Sequence, residues 1–123
     1  MTTFNKLVEL AKKLRAPGGC PWDQKQTIES LAKCIKEESD EVLEAIHKKD
    51  YPNLKEELGD LLFSIIMMMN IAGEEEHFSI EDVFKDIEEK IISRHSWVFG
   101  DDKAETAGEA LALWKKNKGK ESK

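Results

Sequence analysis

From Leu61 to Met69 every residue but Ser64 is apolar, and that run restricts the fold more than any other feature of the chain. It is far shorter than the ~20 residues a membrane-spanning helix requires. Taken with the residues before it, it reads as one helix from about Leu54 to Ala72. Through Leu62, Phe63, Ile65, Ile66, Met67, Met68 and Met69 that helix is apolar nearly all round. Such a helix has to be covered on every side. A chain of 123 residues gives room for one domain and few neighbours to do the covering, so the sequence predicts that subunits pack against it. The three consecutive methionines suit an adaptable packing surface better than a ligand site.

The remaining apolar residues also fall at helical spacing. A first helix, Thr3 to Arg15, carries Phe4, Leu7, Val8, Leu10, Ala11 and Leu14, and stops at the breaker Ala16-Pro17-Gly18-Gly19. A loop, Cys20-Pro21-Trp22-Asp23, leads to a second helix over Thr27 to His47. Its buried arc holds Ile28, Leu31, Ala32, Ile35, Val42, Leu43 and Ile46. Asp50-Tyr51-Pro52-Asn53 makes the next turn, with Asn53 as N-cap of the Leu54–Ala72 helix. Ser79 caps a fourth helix that runs to His95, with Glu81 and Asp82 in its first turn. A polar connection, Gly100 to Thr106, precedes a short helix over Gly108 to Lys116, and residues 118–123 read as a frayed tail. No run alternates as a strand would. A charged fraction of 36% with only 3 prolines favours long solvated helices over a β-sandwich. The expected fold is all-α and four-helix-bundle-like, with a short extra C-terminal helix: one domain over residues 1–123, oligomeric as a homodimer or homotetramer.

Charge and cysteine content exclude several classes. A net charge of −6 gives no basic face for coating nucleic acid. Cys20 and Cys34 form neither a CxxC pair nor a disulfide framework, and Met1 to Leu14 alternates apolar residues with lysines rather than forming a signal peptide. The chain reads as a cytoplasmic protein with reduced thiols and no membrane partner.

The acidic residues carry the chemistry. Glu37-Glu38-Ser39-Asp40-Glu41 lies on the second helix and Glu57-Leu58-Gly59-Asp60 on the third. Residues three apart share one side of a helix, so Glu38 pairs with Glu41 and Glu57 with Asp60. Both pairs border the apolar arcs of their helices, so packing those arcs together brings four carboxylates to the edge of a low-dielectric core. Like charges in that position require a cation. An all-oxygen set without cysteine or histidine suits Mg²⁺, or Mn²⁺ in its place. Spacing alone leaves two other readings open, a solvated acidic face and surface ion pairs with Lys33, Lys36 or Lys55.

Other residues are less specific. Lys90 and Arg94 are four apart on one helix face, suited to phosphate or merely to the helix dipole. Trp22, Trp97 and Trp114 are each able to stack on a base or pack in a core. Of these Trp114, followed by lysines, is the best candidate for a base, while Trp22 pins its loop. His47, His77 and His95 form no triad, and Ser64 has no base to make it a nucleophile.

Taken in order, Cys20-Pro21-Trp22-Asp23, Glu37-Glu38-x-x-Glu41, Glu57-Leu58-Gly59-Asp60-Leu61-Leu62-Phe63 and Arg94-His95-x-x-Val98-Phe99-Gly100 resemble the MazG family of nucleoside triphosphate pyrophosphohydrolases, over residues 4 to 116. The acidic motifs are shared across the all-α pyrophosphatase superfamily, whereas the first and last segments are more specific to MazG. The resemblance implies Mg²⁺-dependent hydrolysis of nucleoside triphosphates, NTP, dNTP or modified forms, to the monophosphate and pyrophosphate. It implies metal ligation by Glu38, Glu41, Glu57 and Asp60, and catalytic roles for Glu37, Glu38 and Glu41, with Glu37 beside the metal shell or positioning water. It also implies nucleotide contacts at Cys34, Glu37, Glu38, Lys90, Arg94 and Trp114. Many MazG proteins carry two copies of the domain and this chain resembles the short form; Ser96-Trp97 stands where Pro-His is common. A preference for dUTP or phosphoribosyl-ATP stays open on the same scaffold. So does a non-catalytic helical module that binds nucleotide or metal.

Overall fold

Three of the long helices begin where the sequence supplies a side-chain oxygen for an otherwise unpaired amide. In the computed structural model, which describes residues 2–121, Thr2 Oγ1 accepts from Asn5 N (3.1 Å) to start α1 (Thr3–Arg15). Thr27 and Ser30 exchange hydrogen bonds in a capping box to start α3 (Ile28–His47). Asp50 accepts from Asn53 N (3.3 Å) to start α4 (Tyr51–Glu74). The cap of α4 is therefore Asp50, not Asn53, because Pro52 is tolerated in the first turn, where its missing N–H costs nothing. The other elements are α2 (Pro21–Gln24), α5 (Ile80–Arg94), α6 (Ser96–Phe99) and α7 (Ala107–Glu121), with no strand among the described residues. Cys20 to Asp23, expected as a loop, thus leads into a single helical turn. The last helix continues through 118–121, where fraying was expected; Ser122 and Lys123 lie outside the described residues.

The helices fall into two compact units, residues 2–80 and 81–121. In the first, α4 packs against α3 and α1. Glu38 meets Ser64 and Glu41 meets Glu57, so α3 and α4 run antiparallel. The core is Val8 and Ala11 from α1, Leu31, Val42 and Ala45 from α3, and Ile66, Met67, Met69, Ile71 and Ala72 from α4. The arc expected for α3 is only partly buried, since Ala32, Leu43 and Ile46 are exposed and Ala45 is buried instead. On α4 the apolar run is covered nearly all round from Ile66 to Ala72, where only Met68 is half-buried, and is left uncovered on one side in the turns before it. Leu58, Leu62 and Ile65 remain exposed at helical spacing.

Arg15, not Trp22, pins the segment between α1 and α3. Its guanidinium donates to both carboxylate oxygens of Glu74 (2.8 and 2.9 Å) and to the carbonyls of Asp23 and Gln26, while Trp22 is 62% exposed. Gly18 supplies a left-handed turn (φ 83°), and at Gly19 a Cβ would lie 2.4 Å from the carbonyl oxygens of Lys13 and Leu14, so the tight exit from α1 needs both glycines.

In the second unit α6 packs on α7. Asn117 is buried and donates through Nδ2 to the Arg94 carbonyl (3.0 Å) and to Ser96 Oγ (2.8 Å), tying α7 to the end of α5. No residue of α5 is buried, and Phe84, Ile87 and Ile91 form an exposed apolar stripe along it.

Candidate active site

Helical periodicity places Glu38 and Glu41 on one side of α3, and Glu57, Asp60 and Ser64 on one side of α4. Antiparallel packing sets these two sides against each other. Ser64 Oγ donates to the Glu38 carboxylate at 3.0 and 3.1 Å. Glu41 faces Glu57 across the helix pair, close enough that its carboxyl favours the protonated form of Glu57. Glu57 Oε2 is closed to solvent and has no hydrogen-bond partner.

The ionisation of the cluster reflects this crowding. The hydrogen bond with Glu41, then loss of solvent, then the charges of Glu41, Asp60 and Glu56 push the Glu57 carboxyl up to about 7. Burial raises the Glu38 carboxyl from its ordinary value; the Ser64 hydroxyl opposes the rise, and Asp60, Glu41 and Glu37 add to it. Lysine does not relieve the repulsion. Among the described residues Lys36 pairs with Asp40 (3.0 Å) and Lys48 with Glu44 (2.7 Å), and none bridges Glu38, Glu41, Glu57 or Asp60.

The chemistry of these side chains, though not their spacing in this structure, is that of ligands to a hard divalent cation. The donors are all carboxylate oxygens, and one of them is buried and unpartnered. Among the described residues no three acidic, histidine or cysteine side chains are gathered as a finished ligand shell. Glu41 and Glu57 touch, while Glu38 turns to Ser64. Glu37 is exposed beside Glu38, and Cys34, one turn earlier on α3, is half-buried.

The second unit holds the other candidates. Arg94 ends α5, half-buried, with its guanidinium carbon 5.1 Å from the centre of the Trp114 ring. His95 packs on Trp97 and edge-on against Trp114, with ring centres 4.9 and 5.2 Å apart, and its Nδ1 lies 2.7 Å from the Ile91 carbonyl. Lys90 is exposed one turn before Arg94. Two residues support these clusters in ways sequence reasoning missed: Ser64, placed near the acidic stripe of its helix but given no partner, and Asn117. Each acts across a helix pair, and only the position of Ser64, one turn beyond Asp60 on the acidic side of α4, gives any sign of it.

The family model of the MazG nucleotide pyrophosphohydrolase domain matches residues 26–99, which include both acidic motifs, Lys90 and Arg94. The chain belongs to the MazG family. This MazG domain is 49% identical over 98 residues to the nucleoside triphosphate pyrophosphohydrolase/pyrophosphatase MazG of Thermotoga maritima, covering 80% of this chain and 38% of that protein. It is 40% identical over 122 residues to the nucleoside triphosphate pyrophosphohydrolase of Escherichia coli K12, covering 98% of this chain and 46% of that protein. The crystal structure of a mazG-related protein from Thermotoga maritima matches it with a TM-score of 0.79 at 34% identity, over 94% of this chain and 98% of that one. The MazG domain thus has the all-helical fold of that relative, and it spans less than half the length of the two curated proteins.

Proposed function

We propose that this MazG domain hydrolyses nucleoside triphosphates to the monophosphate and pyrophosphate with Mg²⁺, or Mn²⁺ in its place. The observation that carries the reading is the buried, unpartnered Glu57 Oε2 set against Glu41 on the facing helix. Two acidic groups forced together at a core edge are stable when a cation sits between them. Glu38, Glu41, Glu57 and Asp60 would hold that ion, which supplies charge neutralisation at the triphosphate and acidifies water. Glu38 is fixed in orientation by Ser64. Glu37, exposed beside Glu38, is available to take the proton of the attacking water. For the nucleotide, Lys90 and Arg94 are the phosphate partners and Trp114 the base partner, Trp114 being already in contact with a guanidinium plane. Cys34 lies one turn before Glu38 and lines the same stretch of α3.

The relatives named as nucleoside triphosphate pyrophosphohydrolases support the reaction class. The exposed stripe Leu58, Leu62 and Ile65 supports a homodimer or homotetramer as the working form. No described helix is long and apolar enough to cross a membrane; a cytoplasmic location is part of the proposal and rests on the reduced-thiol reading of Cys20 and Cys34.

The test is pyrophosphate release from a panel of NTPs and dNTPs, with Mg²⁺ and with EDTA, beside a Glu38→Gln variant. Release that needs the metal and falls at least ~100-fold in the variant supports the reading, since removing an essential ligand or base typically costs that much. No release from any substrate by folded protein overturns it in favour of a non-catalytic module.

A further inference from the structure

A serine in a helix ordinarily turns its hydroxyl to a carbonyl of its own preceding turn or to solvent. Ser64 does neither. It is buried, 9% exposed, and gives its hydroxyl to a carboxylate 26 residues away on the facing helix. Oγ lies 3.0 Å from one oxygen of Glu38 and 3.1 Å from the other. A point so nearly equidistant from both oxygens lies across the mouth of the carboxylate. A cation chelated by both oxygens at once would take that same place. The outer lone pairs, directed away from Ser64, stay open to a cation held through a single oxygen.

The hard divalent cations differ in how they use a carboxylate. Ca²⁺ takes 6–8 oxygens in flexible geometry and readily accepts both oxygens of one carboxylate. Mg²⁺ demands a near-ideal octahedron and keeps several waters, and the narrow bite of one carboxylate does not fit its right angles. Closing the mouth of Glu38 therefore costs Ca²⁺ a bidentate ligand and costs Mg²⁺ nothing.

Resting on the divalent-cation reading above, we propose that Ser64 is a positioning and specificity residue, which caps the mouth of the Glu38 carboxylate and so makes the site take Mg²⁺ in preference to Ca²⁺. Its contribution is the orientation of a ligand, not contact with substrate. A purely structural serine would stabilise the α3–α4 pair without distinguishing one cation from another.

The experiment is calorimetric titration of the full chain with Mg²⁺ and, separately, with Ca²⁺, for the wild type, Ser64→Ala and Ser64→Thr, each checked for helical content by circular dichroism. In Ser64→Ala the ratio of Ca²⁺ to Mg²⁺ affinity rises about tenfold, the lower end of what removing a partner of a metal ligand does. Ser64→Thr, which keeps the hydroxyl, stays near the wild-type ratio. Two results in Ser64→Ala overturn the proposal: both affinities fall alike, as a structural role predicts, or neither changes. Ser64→Ala decides the matter alone if the threonine methyl perturbs the packing. A wild type that binds neither cation brings down the divalent-cation reading itself. That outcome is seen in the first titration, before any variant is compared.

Discussion

At Glu57 the cost of crowding carboxylates becomes measurable. Its carboxyl, pushed up to about 7 in the fold, has an ordinary value of 4.5. Between those two values the folded protein holds a proton that the unfolded chain has released, so stability falls as pH rises through that window. Below 4.5 both states are protonated and the effect vanishes. Thermal unfolding in EDTA from pH 4.5 to 7.5 should show this loss, and Glu57→Gln, which keeps the shape and removes the charge, should flatten the slope. A slope unchanged in the variant assigns the pH dependence elsewhere. At Arg15 the stakes are conformational. Arg15→Ala deletes the fork that joins Glu74 to the carbonyls of Asp23 and Gln26, and should destabilise the chain by about 2–3 kcal/mol. Arg15→Lys should rescue it poorly, because an ammonium lacks the planar fork. Hydrogen exchange at residues 20–26 reads the loosening directly. The acidic pairs were legible in the sequence because i, i+3 spacing fixes a side of a helix whatever surrounds it. Ser64 and Asn117 were not, because their partners sit 26 and 21–23 residues away, and only the packing of two helices decides that separation.

Among the elements, α3 and α4 share one kind of ending. Lys49 (φ 55°) and Glu76 (φ 61°) adopt left-handed backbone, with the amide of the next residue bonded back to Ala45 and Ala72 respectively. Glycine is the residue suited to that conformation. Lys49→Gly should therefore raise stability by about 1 kcal/mol, read as a higher midpoint in urea. An unchanged or lower midpoint would mean that the lysine side chain contributes a contact of its own. α3 ends without a glycine, and α4 runs past Gly73, where closure of the helix was expected, to a left-handed Glu76, yet the helix lengths were close, because apolar spacing outweighs a single terminal residue. The N-terminus of α4 was misplaced for a related reason. Pro52 suggests a turn, but it is tolerated within a first helical turn when Asp50 stands ready as the cap. Likewise Lys115 to Glu121 looks too polar to hold, yet Asn117 anchors that turn of α7 to the end of α5.

On the scale of the whole molecule, exposed apolar surface is the unresolved charge against a monomer. Leu58, Leu62 and Ile65 line α4, and Phe84, Ile87 and Ile91 line α5, each set on one side of its helix. Monomeric proteins seldom leave ordered stripes of this kind in water. Sedimentation of the wild type should give a species at least twice the 14.1 kDa of the chain. The double substitution Leu62→Lys, Ile65→Lys should shift it to the monomer. A monomeric wild type would refute the subunit packing inferred from this surface. The sequence led to an expectation of covering by subunits along the whole apolar run, yet the chain itself covers Ile66 to Ala72 and leaves only the turns before them to a partner. Which sides the chain itself would cover was not legible, because Leu43 and Ile46 fall on the same arc as Val42 and differ only in what α4 reaches.

Hydrolysis to monophosphate and pyrophosphate stands or falls on which anhydride bond is cleaved. Phosphorus NMR of a nucleoside triphosphate incubated with the protein and Mg²⁺ distinguishes the two anhydride bonds. Monophosphate and pyrophosphate appearing in equal amounts, with no diphosphate, is the predicted result. Diphosphate with inorganic phosphate, or an unchanged triphosphate across the whole panel, would contradict it.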